Sequence, residues 1–258
     1  MTRSDIYLQR NGRRAELVLN RPDKRNALNL AMWAAIPVLL REIAEDPAIR
    51  LLVVRGAGDA FSAGADIAEF ETAYGSRDAI QANQEIMNAA MNALEAFAKP
   101  TIALIRGPCV GGGCGLALCC DLRFAATNAR LGITPAKLGL VYGVANTRRL
   151  AQAVGTSAAK DMLFTARLHD AEAGLRLGLV DRIAPPDALE AALAQFESEL
   201  TASSSFTAHA TKEIFLMLRA GAHDDTAESR ALFSGAFDGA DFREGFAAYI
   251  AKRGPDFR

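Results

Sequence analysis

The chain has 258 residues, 50% of them hydrophobic, and is long enough to bury a substantial core in one α/β domain with at most a small appendage. Its 29 lysines and arginines nearly balance its 30 aspartates and glutamates, so the formal net charge of -1 excludes a general attraction to nucleic acid or anionic membranes. The first twenty residues lack the apolar segment of a secretory signal, and no run of about 18 apolar residues occurs. The sequence therefore predicts a soluble, cytoplasmic protein.

Three short apolar segments, at 15–20, 50–58 and 100–107, predict buried strands, because each is rich in leucine or β-branched residues and ends near Gly, Asn or Pro. Apolar residues recur at helical spacing between them, from Leu28 to Ile43 and from Ile80 to Phe97. Pro37 predicts a bend or a break in the first of these helices. The alternation of strands and helices predicts the α/β class.

The last third of the chain is predicted to be helical. Asp170 is a candidate N-cap and Gly178 a candidate helix stop for one helix, and polar breaks separate the helical segments from about residue 187 onwards. We therefore expect a core over residues 1–190 and a helical region over residues 191–258.

Four cysteines lie close together in an apolar segment, at Cys109, Cys114, Cys119 and Cys120. Their spacing lacks the paired CxxC pattern of a zinc site and does not resemble a disulfide framework. They are interpreted as buried thiols in a reducing compartment, and no metal is expected.

Two small-residue loops indicate where chemistry takes place. Three consecutive glycines (111–113) lead into a helical run, and a second loop, "GDAFSAGADIAEF" (58–70), also follows a predicted strand. Glycine lets another group approach the unpaired N–H groups of a helix start, and two such loops could direct two N–H groups at one oxygen. That arrangement would stabilise charge developing on a thioester carbonyl, although tight helix packing is an alternative reason for the glycines.

Four ordered blocks resemble the crotonase superfamily, the enoyl-CoA hydratase/isomerase group: "NRPDKRNAL" (20–28), "AFSAGADI" (60–67), "KPTIALIRGPCVGGGCGLALCCDLRFAA" (99–126) and "FTARLHDAEAGLRLGLVDRI" (164–183). The resemblance implies a spiral of ββα units in residues 1–190 that binds acyl-CoA. It also implies that residues 191–258 form a helical oligomerisation region in a homotrimer or homohexamer. Coenzyme A is then carried by the substrate, and no other cofactor, nucleic acid or membrane partner is expected.

The resemblance also assigns residues to the site. Ala65 and Gly112 match the positions whose backbone N–H groups form the family's oxyanion hole. Lys24 and Arg25 match the loop near the CoA adenine and phosphates, where two cations are favourable, unless they are only solvated surface charges. The remaining residues expected to contact CoA are Ala27, Ala63, Asp66 and Ile67, with Asp66 more structural than catalytic.

The sequence departs from the hydratase pattern at the two glutamates that activate water. Gly115 and Ala136 stand at these positions, and neither can transfer a proton through its side chain. Two such losses in one site would leave little hydratase activity, since each general acid or base contributes about 10²–10⁴-fold in rate. A generic hydratase is therefore disfavoured.

In place of these acids, Thr134 and Tyr142 resemble the methylmalonyl-CoA decarboxylase branch, where a Thr and a Tyr lie near the substrate carboxylate. Decarboxylation needs an oriented carboxylate and an oxyanion hole for the enolate, so the resemblance implies a decarboxylase-like or other non-hydratase lyase. That branch carries a His where Ala65 stands and a Glu where Gly115 stands, which leaves substrate and reaction open. Tyr142 could instead be a packing residue, and Thr134 a capping hydroxyl.

Two alternative functions stay open from the sequence. The first is an enoyl-CoA hydratase or isomerase that uses a non-standard acid, such as Glu69 or Glu71 after the first loop. The second is a catalytically silent acyl-CoA-binding subunit that kept the pocket and lost the acids. A catalytic histidine is not expected, since none lies in the glycine loops.

Overall fold

The computed structural model describes residues 4–69 and 75–257, and these residues contain nine strands. The strands are β1 (Ile6–Asn11), β2 (Arg14–Leu19), β3 (Leu51–Gly56), β4 (Thr101–Ile105), β5 (Pro108–Val110), β6 (Leu122–Ala126), β7 (Arg130–Gly132), β8 (His169–Asp170) and β9 (Arg182–Ala184). The helices of the same part are α1 (Leu30–Ala44), α2 (Arg77–Glu95), α3 (Gly112–Ala117), α4 (Val144–Val154), α5 (Thr156–Thr165), α6 (Ala171–Leu177), α7 (Leu189–Thr201), α8 (Ser205–Arg219), α9 (Ala227–Ala236) and α10 (Ala240–Ile250).

The main sheet has six strands in the order β1-β2-β3-β4-β6-β9. Only β1 and β2 pair in antiparallel fashion, and the other neighbours are parallel. The strands β2, β3 and β4 are buried almost throughout, which explains why their sequences are nearly continuous apolar runs. A second sheet, β5-β7-β8, lies beside the glycine-rich segment. The mixed α/β class predicted from the sequence is confirmed.

Helix α1 continues through Pro37 without the predicted break. A proline inside a helix removes one backbone hydrogen bond and costs about 3 kcal/mol. The apolar face of α1 is buried in the core, and this burial outweighs the cost. The caps predicted for α6 are present: the Asp170 carboxylate accepts from the Ala173 N–H, and Gly178 adopts the left-handed conformation with φ +79°.

The chain divides into two compact units. One contains residues 1–97 with 101–190, and the other contains residues 98–100 with 191–258. In the second unit, four exposed rings follow one another at centroid separations of 5.5, 5.1 and 6.1 Å, namely Phe233, Phe237, Phe242 and Phe246. The role of this unit in oligomerisation stays a prediction.

All four cysteines are buried, and none forms a disulfide bond. Burial raises the pKa of the Cys109 thiol well above its ordinary value, so this side chain behaves as a small apolar group. Among the described residues, no helix is both long and apolar enough to cross a membrane.

Candidate active site

The two small-residue loops lie side by side because Ser62 ties the first loop to strand β5. The Ser62 N–H donates to the Pro108 carbonyl at 2.9 Å, and the Val110 N–H donates to the Ser62 carbonyl at 3.0 Å. The Ser62 hydroxyl also donates to the Asn26 carbonyl at 2.8 Å. These bonds hold residues 62–66 against the start of the glycine triplet.

The N–H groups of Ala65 and Gly112 are available for a ligand. Leu28 donates to the Gly64 carbonyl at 2.7 Å and accepts from the Asp66 N–H at 3.0 Å, so the N–H of Ala65 points to the opposite side. Gly112 is the first residue of α3, where a helix offers no internal partner. Neither N–H donates to any group within residues 4–69 and 75–257.

The two N–H groups are close to each other because glycines allow the loops to meet. A methyl group added at Gly112 would lie 3.9 Å from the Ala65 nitrogen, and one at Gly64 would lie 3.5 Å from the Gly112 nitrogen. A methyl at Gly64 would also lie 2.8 Å from the Val110 carbonyl oxygen, and the φ of this residue is +100°. The close approach predicted from the glycines is therefore present, and the two backbone nitrogens lie near each other beside the same cavity.

A cavity of about 400 Å³ opens in front of these two donors. Most of its wall is apolar, with neutral polar groups at a few points, as expected for a small-molecule site. Its lining consists of Ala63, Gly64, Ala65, Ile67, Ile80, Gln84, Met87, Asn88, Met91, Gly111, Gly112, Thr134, Pro135, Leu138, Leu140, Val141, Tyr142 and Asn146. Within the described residues, no carboxylate, imidazole or cationic side chain lines it.

Tyr142 occupies the place where a side chain at position 115 would begin. A methyl group added at Gly115 would lie 2.9 Å from the Tyr142 hydroxyl oxygen and 3.2 Å from the Met91 methyl carbon. The hydroxyl is buried and has no hydrogen-bond partner among the described residues. Burial raises the pKa of Tyr142 well above its ordinary value, while the nearby Arg149 opposes that shift. The phenol therefore stays protonated at neutral pH.

Thr134 also lines the cavity, and its hydroxyl does not cap the short 3-10 helix that follows it at Pro135–Leu138. The Thr134 Oγ1 would lie 3.5 Å from a methyl group added at Gly111, which places it beside the glycine triplet. Pro135 lines the cavity, whereas Ala136, which the resemblance assigns to the position of the second hydratase glutamate, does not. Neither residue can transfer a proton.

The residues predicted to contact CoA fall into two groups. Ala63 and Ile67 line the cavity, and Ile67 is 71% exposed at its mouth. Asp66 is 9% exposed and accepts from Arg21 at 2.7 Å, which lowers the pKa of its carboxyl group. This contact supports a structural role for Asp66.

The neighbouring loop carries the predicted cations. The side chain of Lys24 is half exposed, and its Nζ lies 3.4 Å from Asp66 Oδ2. Arg25 has φ +48°, its carbonyl accepts from the Ala63 N–H at 2.9 Å, and Ala27 is buried. The backbone of this loop thus contacts residue 63 of the cavity wall. Lys24 and Arg25 belong to this neighbouring loop and do not themselves line the cavity.

Glu69 has a structural role. Its Oε2 accepts from the Leu30 N–H at 2.9 Å, at the first turn of α1, and the residue is absent from the cavity lining. This position does not favour the alternative in which Glu69 acts as the acid. Glu71 lies outside the described residues. His169 belongs to strand β8 and does not line the cavity.

Sequence reasoning missed three carboxamides in the cavity wall: Gln84, Asn88 and Asn146. Gln84 and Asn88 are four residues apart on α2 and share a face with Met87 and Met91, so helical spacing could have grouped them. Asn146 gives no such signal, because only the fold brings the first turn of α4 to the cavity.

Two backbone donors beside a neutral cavity define an enzyme site that can stabilise an oxyanion. The family model for enoyl-CoA hydratase/isomerase matches residues 10–258. The chain therefore belongs to the enoyl-CoA hydratase/isomerase family of the crotonase superfamily, whose enzymes act on CoA thioesters.

Individual relatives agree with this assignment over nearly the whole chain. The crotonyl-CoA hydratase of Syntrophomonas wolfei is 32% identical and covers 100% of this chain and 99% of its own. The 2,3-dehydroadipyl-CoA hydratase of Escherichia coli is 34% identical and covers 99% of both chains. Among solved structures, an enoyl-CoA hydratase/isomerase family protein from Hyphomonas neptunium has a TM-score of 0.96 at 43% identity, covering 99% of this chain and 98% of its own.

Proposed function

We propose that this enzyme removes carbon dioxide from a malonyl-type CoA thioester, and that its N–H groups at Ala65 and Gly112 hold the enolate. One observation carries the proposal: the space of the hydratase glutamate at position 115 is filled by the neutral hydroxyl of Tyr142. Hydration requires groups that activate water, and no such group lines the described cavity. Decarboxylation requires charge stabilisation, for which two unpartnered N–H groups are suited.

The proposed reaction begins with heterolysis of the bond between the α-carbon and the carboxylate. The electron pair moves into the thioester, carbon dioxide leaves, and negative charge develops on the thioester oxygen. Ala65 and Gly112 donate to that oxygen and stabilise the enolate. The carboxylate must lie out of the thioester plane, and Thr134 is positioned in the wall to help fix this orientation.

Tyr142 completes the reaction as a proton donor. Its hydroxyl proton passes to the α-carbon, and the phenolate formed recovers a proton from solvent, so one proton is consumed for each carbon dioxide released. The raised pKa keeps the phenol protonated before the reaction, and a phenol is still a far stronger acid than a thioester α-carbon. No cofactor besides the CoA of the substrate is needed for this sequence.

The names of the relatives favour a second candidate, hydration or isomerisation of an enoyl-CoA. This chemistry needs an acid from outside the cavity wall described above. Glu71 is the remaining acid among those considered from the sequence, since Glu69 holds the start of α1. A Glu71→Gln variant tests this route, because it removes the ionisable group and keeps the shape.

The deciding experiment incubates the protein separately with methylmalonyl-CoA and crotonyl-CoA and follows the thioesters by mass spectrometry. Loss of the mass of carbon dioxide from methylmalonyl-CoA, and no change in crotonyl-CoA, is the expected result. Gain of water by crotonyl-CoA would instead support the hydratase candidate. Binding of both thioesters without conversion would indicate a silent acyl-CoA-binding subunit.

The proposed assembly is a homotrimer or homohexamer. The exposed rings of Phe233, Phe237, Phe242 and Phe246 form an apolar surface of the kind that subunit contacts cover. Sedimentation equilibrium of the intact protein distinguishes three from six subunits, and a monomer would contradict this part of the proposal.

A further inference from the structure

Asn146 combines a place in the cavity wall with a buried anchor behind it. The Asn146 Oδ1 accepts from Arg149 Nη1 at 2.8 Å, one helical turn further along α4. Arg149 is 3% exposed and also donates to Asn92 Oδ1 at 2.6 Å and to Glu95 Oε2 at 2.8 Å. Arg149, which is itself held by Asn92 and Glu95, therefore fixes the orientation of the Asn146 side chain.

This anchor determines which end of the carboxamide can bind a ligand. A guanidinium has only donors, so the oxygen of Asn146 must face Arg149. The amide NH₂ is then the group left for the cavity, and it donates to no group in the described part of the chain. Asn146 consequently presents a fixed hydrogen-bond donor at the acyl cavity.

The charges behind Asn146 favour an anionic acceptor. Arg148 contacts Glu95 at 3.0 Å and Arg149 contacts the same carboxylate at 2.8 Å, so these contacts join two guanidinium groups to one carboxylate. These three groups together carry one net positive charge, and the cation nearest to Asn146, Arg149, contacts its oxygen. The described part of the cavity lining carries no charged side chain, and an apolar wall screens a charge less than water does.

We infer that Asn146 is a specificity-determining residue, which binds a carboxylate on the acyl group of the substrate, and that Arg149 is its positioning residue. This inference rests on the proposed function for its substrate class, but its evidence is a separate contact. The inference requires the acyl group of the substrate to carry a second oxygen acceptor in addition to the thioester carbonyl. Simple alkyl thioesters lack that acceptor and gain nothing from Asn146.

The test measures binding and needs no turnover. The first ligand is the CoA thioester in which a sulfonate replaces the carboxylate of methylmalonyl-CoA and cannot leave as carbon dioxide. The second is isobutyryl-CoA, in which a methyl group takes that position. Dissociation constants of both are determined by isothermal titration calorimetry for the wild type, Asn146→Ala, Asn146→Asp and Gln152→Ala.

The Asn146→Asp variant keeps an oxygen for Arg149 and replaces the donor by an acceptor, so it retains the anchor and should repel the sulfonate. Gln152→Ala is the matched control, because it removes an exposed carboxamide on the same helix, whose oxygen accepts from Arg148 at 2.9 Å, and leaves the contacts of Arg149 and the cavity lining unchanged. We expect both Asn146 variants to bind the sulfonate thioester about tenfold more weakly or worse, with isobutyryl-CoA and the control unchanged.

Equal weakening of both ligands, or no weakening of either, would overturn the inference. Loss of sulfonate selectivity in Gln152→Ala alone would do the same. These outcomes are independent of catalysis: selective binding without release of carbon dioxide from methylmalonyl-CoA would refute the proposed function and leave the role of Asn146 standing.

Discussion

Replacing Tyr142 by Phe separates the contribution of this hydroxyl to stability from its contribution to catalysis. The hydroxyl oxygen is buried without a described partner, and leaving such a group unsatisfied costs about 1–3 kcal/mol. Phe removes that oxygen and keeps the ring. We therefore expect the variant to have a higher free energy of unfolding than the wild type, by about 1 kcal/mol.

The same substitution removes the proposed proton donor. Loss of a general acid reduces the rate by about 10²–10⁴-fold, so the variant should be more stable and far less active. Thermal unfolding measures the first effect, which corresponds to about 2–4 °C for a protein of this size, and release of carbon dioxide from methylmalonyl-CoA measures the second.

A gain in stability combined with a loss of activity is a stringent test, because most substitutions at buried positions lower stability. A Phe variant that turns over at the wild-type rate would refute the role of the hydroxyl as proton donor. A variant that is less stable by 1 kcal/mol or more, taken as about the value of one net hydrogen bond, would show that the hydroxyl has a partner. Binding of isobutyryl-CoA, measured in parallel, verifies that the cavity has kept its shape.

Three further substitutions follow from the contacts described. Gly115→Ala should lower the free energy of unfolding by about 1–3 kcal/mol through overpacking against Tyr142. Most of this loss should disappear when the same substitution is made in the Tyr142→Phe variant, and equal losses in the two backgrounds would contradict the contact. Glu69→Ala should lower it by about 1 kcal/mol and leave release of carbon dioxide unchanged, whereas a large loss of activity would make Glu69 part of the site. Burial and the nearby Arg167 lower the pKa of His169, so the unfolded chain binds a proton that the folded chain does not. The free energy of unfolding should therefore fall as the pH drops below about 6.5. In urea titrations, His169→Gln should weaken that pH dependence.

The sequence predicted the elements that are long and buried. Strands β2, β3 and β4 and helices α1 and α2 appear where continuous apolar runs and helical spacing placed them. The strands β5, β7, β8 and β9 contain only two or three residues, too few to show a period, and they were missed. Two longer strands, β1 and β6, were also missed, and β6 closely follows the small-residue run that the sequence predicts to be helical. Pro37 causes no break in α1, since tertiary burial of the helix outweighs the local cost of proline, and the alternative prediction of a bend stays a prediction.

The part of the site that the glycine-containing loops form was predictable from the sequence. Gly64 and Gly112 indicate close backbone approach, and the backbone nitrogens of residues 65 and 112 do lie close together. Side chains from distant segments were harder to place: the contact between Tyr142 and position 115, and the anchoring of Asn146, depend on the path of residues 132–146 around the cavity. No spacing rule connects residues that far apart, because their contact is a property of the tertiary fold.

The loss of the glutamate and the gain of the phenol can be understood as one change. A carboxylate at position 115 would repel a second carboxylate on the substrate at short range, in a cavity where apolar walls strengthen charge interactions. Tyr142 fills the same space without charge, because burial keeps its phenol protonated. Under the proposed function, a group that activates water is thereby replaced by one that tolerates an anionic acyl group and delivers a proton. On this reasoning, Gly115→Glu together with Tyr142→Ala should weaken binding of the sulfonate thioester more than that of isobutyryl-CoA, as measured by calorimetry. Equal effects on both ligands would show that charge repulsion is not the reason for the difference.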